Sequence, residues 1–271
     1  MRPIKLTFDT WYIDEHEVVG KADGFGRVYP GINSIGIPIA IKVVPAEDRL
    51  SAKQGLLFAK KFARQSTKHI VPIFDYGEAD DGTTYVVMDR AEQSLRDWLE
   101  SNPSASDNDV VAVVGDIARG LIEAGDWAHR NLKPENVLYL DARWQLTDFG
   151  IARIGNSVSA VSMLKSAQSA PYAAPEQWNQ DHATHATDIY ALGCIAAEIT
   201  MARKIFRGPL LEDFMQQHKI EHPNIEMISS PLRALIARML GKPPTERPSA
   251  KQVLTAFPAS DVFPETRGFL S

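Results

Sequence analysis

The hydrophobic rhythm of this chain changes near residue 90, and that change restricts the fold more than any other feature. Before it, short runs rich in β-branched and aromatic residues alternate with turn residues. They cover 26–29, 37–44, 70–74 and 83–88, the last after the turn Asp80-Asp81-Gly82. One helical stretch interrupts them at 51–65, where Leu57, Phe58 and Phe62 recur at helical spacing. Beyond Ala91 the pattern is mainly helical. A short capped helix is expected at 94–99, and a longer, strongly apolar and therefore buried one at 110–124. Strands first and helices after predict an α+β fold with the two kinds of element segregated. The expected division is a strand-rich lobe over 1–90, a helical lobe over 91–257 and a tail over 258–271.

Composition narrows the classes of function. Apolar residues make up 44% of the 271, enough for a substantial core, and the net charge of −5 argues against nucleic acid as a partner. The single Cys194 excludes an intramolecular disulfide and a cysteine-based zinc site, and suits a reducing compartment. No apolar run approaches the roughly 20 residues that span a bilayer, and the first residues carry no signal-peptide core. A cytoplasmic protein with no membrane segment is the expectation. The catalytic domain of a receptor-type protein would read the same way.

The chemistry is concentrated in His129-Arg130-Asn131-Leu132-Lys133-Pro134-Glu135-Asn136, followed by Asp148-Phe149-Gly150 across a strand-like run. Ala40-Ile41-Lys42 precedes them, and Ala174-Pro175-Glu176, Asp188-Ile189-Tyr190-Ala191-Leu192-Gly193 and Glu246-Arg247-Pro248 follow. A lysine beside apolar Ile41 and Val43 on a strand's inner face is costly without an anion to meet it. In this order and at these separations the segments resemble the eukaryotic-type (Hanks-type) Ser/Thr protein kinase family, over about residues 11–257, with the tone of its bacterial members.

The resemblance implies a bilobal kinase fold and a set of roles. Lys42 would pair with the α- and β-phosphates of ATP, and Asn136 and Asp148 would hold Mg²⁺, or Mn²⁺ in its place. Adenine would lie against Val28, Ala40 and Leu138, with Met88 as gatekeeper and Asp89 to Ala91 as hinge. Gly20, Gly24 and Gly26 would form the loop over the phosphates. Lys133 would neutralise charge on the transferring phosphoryl group. With Ser169, Lys133 points to serine or threonine rather than tyrosine as acceptor. His129, Arg130, Glu176, Asp188 and Arg247 would be structural, with Glu176 paired to Arg247 and Asp188 anchoring the catalytic-loop backbone. Ser157, Ser159, Ser162 and Ser166 lie in the activation segment, where phosphorylation could meet Arg130. The implied partner is a protein substrate, with self-association for autophosphorylation. Small-molecule kinases share the fold, but they usually lack the Ala-Pro-Glu segment and its arginine partner.

Four departures from the family pattern matter. The glycine-rich loop carries one extra residue before Gly24, placing Lys21 and Asp23 where glycines are usual. No acidic residue occurs from Arg49 through Phe74, so the helix offers Lys42 no carboxylate. Glu47, Asp48 or Asp148 remain as partners, or the site is held in another way. The approach to the catalytic loop, 120–129, is about two residues short, and a trimmed helix end is expected. Most consequentially, Asn131 stands where the family has the aspartate that accepts the substrate proton. Loss of that acceptor is expected to cost on the order of 10²–10⁴ in rate. Three readings follow: a kinase impaired by a deliberate Asp-to-Asn replacement, a natural pseudokinase that binds ATP as scaffold or switch, or a slow enzyme whose loose transition state asks little of a base. Retention of Lys42, Lys133, Asn136, Asp148 and Phe149 favours the first; the acid-free helix favours the second.

Overall fold

Six antiparallel strands make one sheet from the first third of the chain. They are β1 (Arg2–Lys5), β2 (Thr10–Ile13), β3 (Arg27–Ile32), β4 (Pro38–Val44), β5 (Ile73–Glu78) and β6 (Thr84–Asp89), in the order β1-β2-β3-β4-β6-β5. The computed structural model describes residues 1–20, 26–47, 49–149, 169–179 and 181–256. The expected positions Gly24, Ser157, Ser159, Ser162 and Ser166, and the tail 258–271, lie outside these.

Side chains alternate across the pleat, so each strand serves two cores. Ile39 and Ile41 of β4 join Ile4, Trp11, Ile13, Tyr85 and Val87 on the outer face. Ala40 faces the other way, with Val86 and Met88, into the core shared with the helical lobe. The outer face is closed by the N-terminal hairpin, which the sequence reading did not anticipate. The Asp75 carboxylate on β5 accepts hydrogen bonds from the backbone of Phe8 and Asp9 and from Trp11 Nε1, the last at 2.8 Å. One buried carboxylate thereby ties the start of the chain to the far edge of the sheet.

Two expectations need adjustment. The helix expected at 51–65 is α1 (Arg49–Phe62). The strand expected at 70–74 begins instead at Ile73, because residues 69–71 pair elsewhere. Val71 N donates to Leu146 O and Leu146 N donates to His69 O, both at 2.9 Å. This segment thus joins the small sheet of β7 (Gln93–Ser94), β8 (Val137–Leu140) and β9 (Arg143–Leu146) in the second lobe. The joint is close. A Cβ on Gly120 would lie 2.6 Å from His69 O, so only glycine lets the two backbones meet.

The second lobe comprises α2 (Leu95–Ser101), α3 (Asp107–Glu123), α4 (Pro175–Trp178), α5 (His185–Met201), α6 (Leu211–Ile220), α7 (Ser230–Met239) and α8 (Ala250–Ala256). Both α2 and α3 start with capping boxes, Ser94 with Asp97 and Ser106 with Asp109. The central helix is α5, apolar on nearly every face and buried from Thr187 to Ile199. A helix of that character is stable only when surrounded. Here α3 and α7 flank it, and a Cβ on Gly193 would touch Met239 Cβ at 2.9 Å.

Candidate active site

Lys42 reaches the cleft because β4 alternates. The residue is buried, and its Nζ lies 2.8 Å from Asp148 Oδ2. Of the partners open to it from sequence, Glu47 is exposed and Asp48 lies outside the described residues. Asp148 provides the charge that α1 lacks. The aspartate sits just past β9 with φ +61°, a left-handed conformation that a non-glycine residue adopts at some cost and that clusters at functional sites.

Phe149 follows into the core, its ring stacked on Phe58 of α1 at 4.5 Å and 6° and lying 4.5 Å from His129. Behind Met88, a cavity of about 40 Å³ is lined by Lys42, Gly55, Phe58, Val86 and Phe149 among others. Val28 pairs with Lys42 across the β3–β4 ladder and Ala40 with Met88 across β4–β6. These three apolar residues and Leu138 of β8 belong to one hydrophobic cluster. Asp89 closes β6, and burial raises its carboxyl above the ordinary carboxylate range. Half-buried Ala91 lies in the connection to the second lobe. Gly26 has φ +122°, and a Cβ there would strike Val43 O at 2.6 Å, so that position requires glycine. Gly20 also has positive φ but faces open space.

The loop 129–136 is fixed from below. Asp188 of α5 accepts from His129 N at 2.7 Å and Arg130 N at 2.6 Å. Burial pushes its carboxyl up to about 7, against the pull of those two N–H groups. Burial also holds His129 down at about 4, hence neutral. Its Nε2–H then donates to Thr147 O at 2.8 Å while Nδ1 accepts from Asn131 N at 3.3 Å. Arg130 has φ +65°, and its carbonyl accepts from Gln177 Nε2 at 3.0 Å. Lys133 is fully buried in the same loop.

Asn131 is 8% exposed. Its Oδ1 accepts from Ser169 Oγ at 3.1 Å, and its Nδ2 is buried and meets no acceptor among the described residues. A carboxylate there would offer lone pairs to an incoming hydroxyl; the amide offers N–H in place of one of them. Asn136 Nδ2 donates to Asn131 O at 2.8 Å, which leaves the Asn136 carbonyl oxygen as a hard donor. Among the described residues no three His, Cys, Asp or Glu side chains converge as a metal cage. The oxygens of Asp148 and Asn136 fit an ion that takes its other ligands from phosphates and water.

Away from the cleft, Glu176 and Arg247 form a bidentate pair at 2.7 and 2.8 Å. Every nitrogen of the Arg247 guanidinium is bonded, to Glu176 or to the carbonyls of Gly241, Lys242 and Ala186. Burial pushes the Glu176 carboxyl up, and the bond to Arg247 outweighs it, holding the group below its ordinary range. Sequence reasoning missed two further sets of residues. Arg96 of α2 binds Glu135, Glu198 and the Tyr172 hydroxyl, joining the loop 129–136 to α5. His218 of α6 reaches Ala170, beside Ser169. Their partners are 39 to 102 residues away, beyond any local pattern.

Residues 14–257 match the family model described as a protein kinase domain. Among curated proteins, the chain is 32% identical over 262 residues to serine/threonine-protein kinase pkn2 of Myxococcus xanthus, covering 88% of this chain and 31% of that protein. It is 33% identical over 248 residues to serine/threonine-protein kinase PknE of Mycobacterium tuberculosis, covering 85% and 42%. PknD of the same organism is 32% identical over 194 residues, covering 68% and 29%. The chain therefore spans less than half the length of each of these bacterial relatives.

Proposed function

Because the chain belongs to the protein kinase domain family, we propose that its cleft binds ATP with Mg²⁺ and directs the γ-phosphoryl group to a serine or threonine of a protein, in a form impaired at residue 131. The observation that carries this reading is the Lys42–Asp148 pair at 2.8 Å beside a catalytic loop whose Asn131 and Asn136 are hydrogen-bonded to each other. The backbone bond from Thr147 N to Asn136 O at 3.1 Å, one residue before Asp148, supports reading the cation, the carboxylate and the amide oxygen as one site.

Bound ATP and Mg²⁺ would supply the transferable phosphoryl group and the charge that makes it electrophilic. Lys42 would exchange Asp148 for phosphate oxygens, freeing that carboxylate for the metal. Asn136 would present its carbonyl oxygen beside it. Buried Lys133 would neutralise charge on the transferring γ-phosphoryl group. Ser169, hydrogen-bonded to residue 131, supports a serine or threonine acceptor. Asn131 can hold a hydroxyl in place but is too weak a base to take its proton. The substrate, self-association and a cytoplasmic location belong to the proposal; no helix among the described residues is long and apolar enough to cross a membrane.

The second reading, an ATP-binding scaffold or switch, is favoured by one observation. Lys42 meets Asp148 at 2.8 Å, and α1 carries no acidic residue that could take that carboxylate's place. Asn131→Asp separates the two. With [γ-³²P]ATP and a degenerate serine/threonine peptide library, the kinase reading expects incorporation to rise about 100-fold or more. No gain on reversion, with ATP still bound, gives the scaffold reading.

A further inference from the structure

His218 is fully buried on α6, far in sequence from every residue discussed for the cleft, yet two contacts separate it from residue 131. Burial holds its imidazole at about 3, so the ring is neutral and its two nitrogens play different parts. Nδ1 accepts from the Tyr190 hydroxyl at 3.0 Å, and Nε2–H donates to Ala170 O at 2.9 Å. The ring is wedged against Phe206 at 4.1 Å and stacks on Trp178 at 6.1 Å. Lys242 Nζ donates to the His218 carbonyl at 2.7 Å and fixes the end of α6 from outside.

Ala170 begins the short turn Ala170–Tyr172, and the residue before it is Ser169, whose hydroxyl donates to Asn131 Oδ1. A continuous path therefore runs from α5 through Tyr190, His218 and Ala170 to Ser169 and residue 131. Other side-chain bonds hold the same turn: the Tyr172 hydroxyl to Glu198 and to Arg96, and Trp178 Nε1 to Ala173 O at 3.2 Å. Of the side-chain bonds named here, only that of the histidine reaches the residue adjoining Ser169.

We infer that His218 is a positioning residue for the phosphoryl acceptor, holding the 169–173 turn so that the Ser169 hydroxyl and residue 131 keep one geometry. The inference rests on the kinase reading of the cleft. It differs from a core-filling role, because a misplacement of about 1 Å on the acceptor side can cost on the order of 100-fold in transfer while leaving nucleotide binding alone. The turn meets residue 131, the position that the kinase reading assigns to the acceptor hydroxyl, whereas Lys42 and Asp148, which that reading assigns to the nucleotide, pair with each other.

The test uses the full chain carrying Asn131→Asp, with His218→Leu to remove both bonds at similar volume and His218→Gln to restore a donor to Ala170. His218→Leu is expected to lower peptide phosphorylation about 10- to 100-fold. Hydrolysis of ATP by water should change less than about twofold, and His218→Gln should recover part of the loss. An equal fall in both reactions, or no fall in either, overturns the positioning role. Amide exchange of 170–174, measured in the chain with and without His218→Leu at Asn131, needs no phosphoryl transfer. Faster exchange there is expected, and unchanged exchange overturns the inference even if Asn131→Asp proves inert. If His218→Leu fails to fold, His218→Gln against His218→Asn provides the same contrast of a long and a short donor.

Discussion

The two walls of the cleft are held very differently. On the upper wall Lys42 rests on Asp148, which itself belongs to the lower lobe. On the lower wall the loop 129–136 is held at several points: Asp188 to two backbone N–H groups, His129 to Thr147, Gln177 to Arg130, Arg96 to Glu135 and, within the loop, Asn136 to Asn131. The contrast teaches that the loop takes its geometry from backbone groups and from Asp188, His129 and Gln177 rather than from a charge at residue 131, whereas Lys42 rests on a carboxylate of the other lobe.

If the lower wall is the rigid one, breaking its framework should cost more than anything done above it. Arg247→Leu leaves the Glu176 carboxylate buried and uncompensated, and chemical denaturation should show a loss of about 3–5 kcal/mol. A loss under about 1 kcal/mol would mean that the pair is no better than a surface ion pair and that the lower wall owes its rigidity to packing alone.

Acid sharpens the same comparison. His129 and His218 are buried neutral at about 4 and about 3, while unfolded histidine titrates near 6.5. Below about pH 6.5 the unfolded chain therefore binds two protons that the folded chain does not, so these groups make stability fall as pH falls. Asp188 acts oppositely. Raised to about 7, it binds a proton in the folded state over a window in which the unfolded carboxyl has lost it, and its contribution declines as pH rises. His218→Gln removes one of the two histidine contributions. The slope of unfolding free energy against pH between 6 and 4.5 should then flatten by about 1.4 kcal/mol per pH unit. An unchanged slope would show that the imidazole is not held neutral.

Much of this was legible in the sequence, for a physical reason. The segregation of strands and helices follows from periodicity, which a folded sheet or helix cannot hide. The segments that place the chain in its family could be read because their residue types, order and spacing are specific. The N-terminal hairpin could not, since β1 is four residues long and is held by Asp75 from the far edge of the sheet. The partner of Lys42 was open among several carboxylates until the fold chose Asp148. His218 left no local signal either, because a buried histidine looks the same in sequence whether it fills space or carries a hydrogen bond to the acceptor side.

The central claim is that Lys42, Asp148 and Asn136 share one nucleotide. Calorimetric titration of ATP with Mg²⁺ into the unaltered chain, alongside Lys42→Ala, tests it most directly. Saturable one-to-one binding that depends on Mg²⁺ and weakens by tenfold or more in Lys42→Ala, about 1.4 kcal/mol, is the predicted result. Equal affinity in both proteins, or no binding to either, would contradict the account.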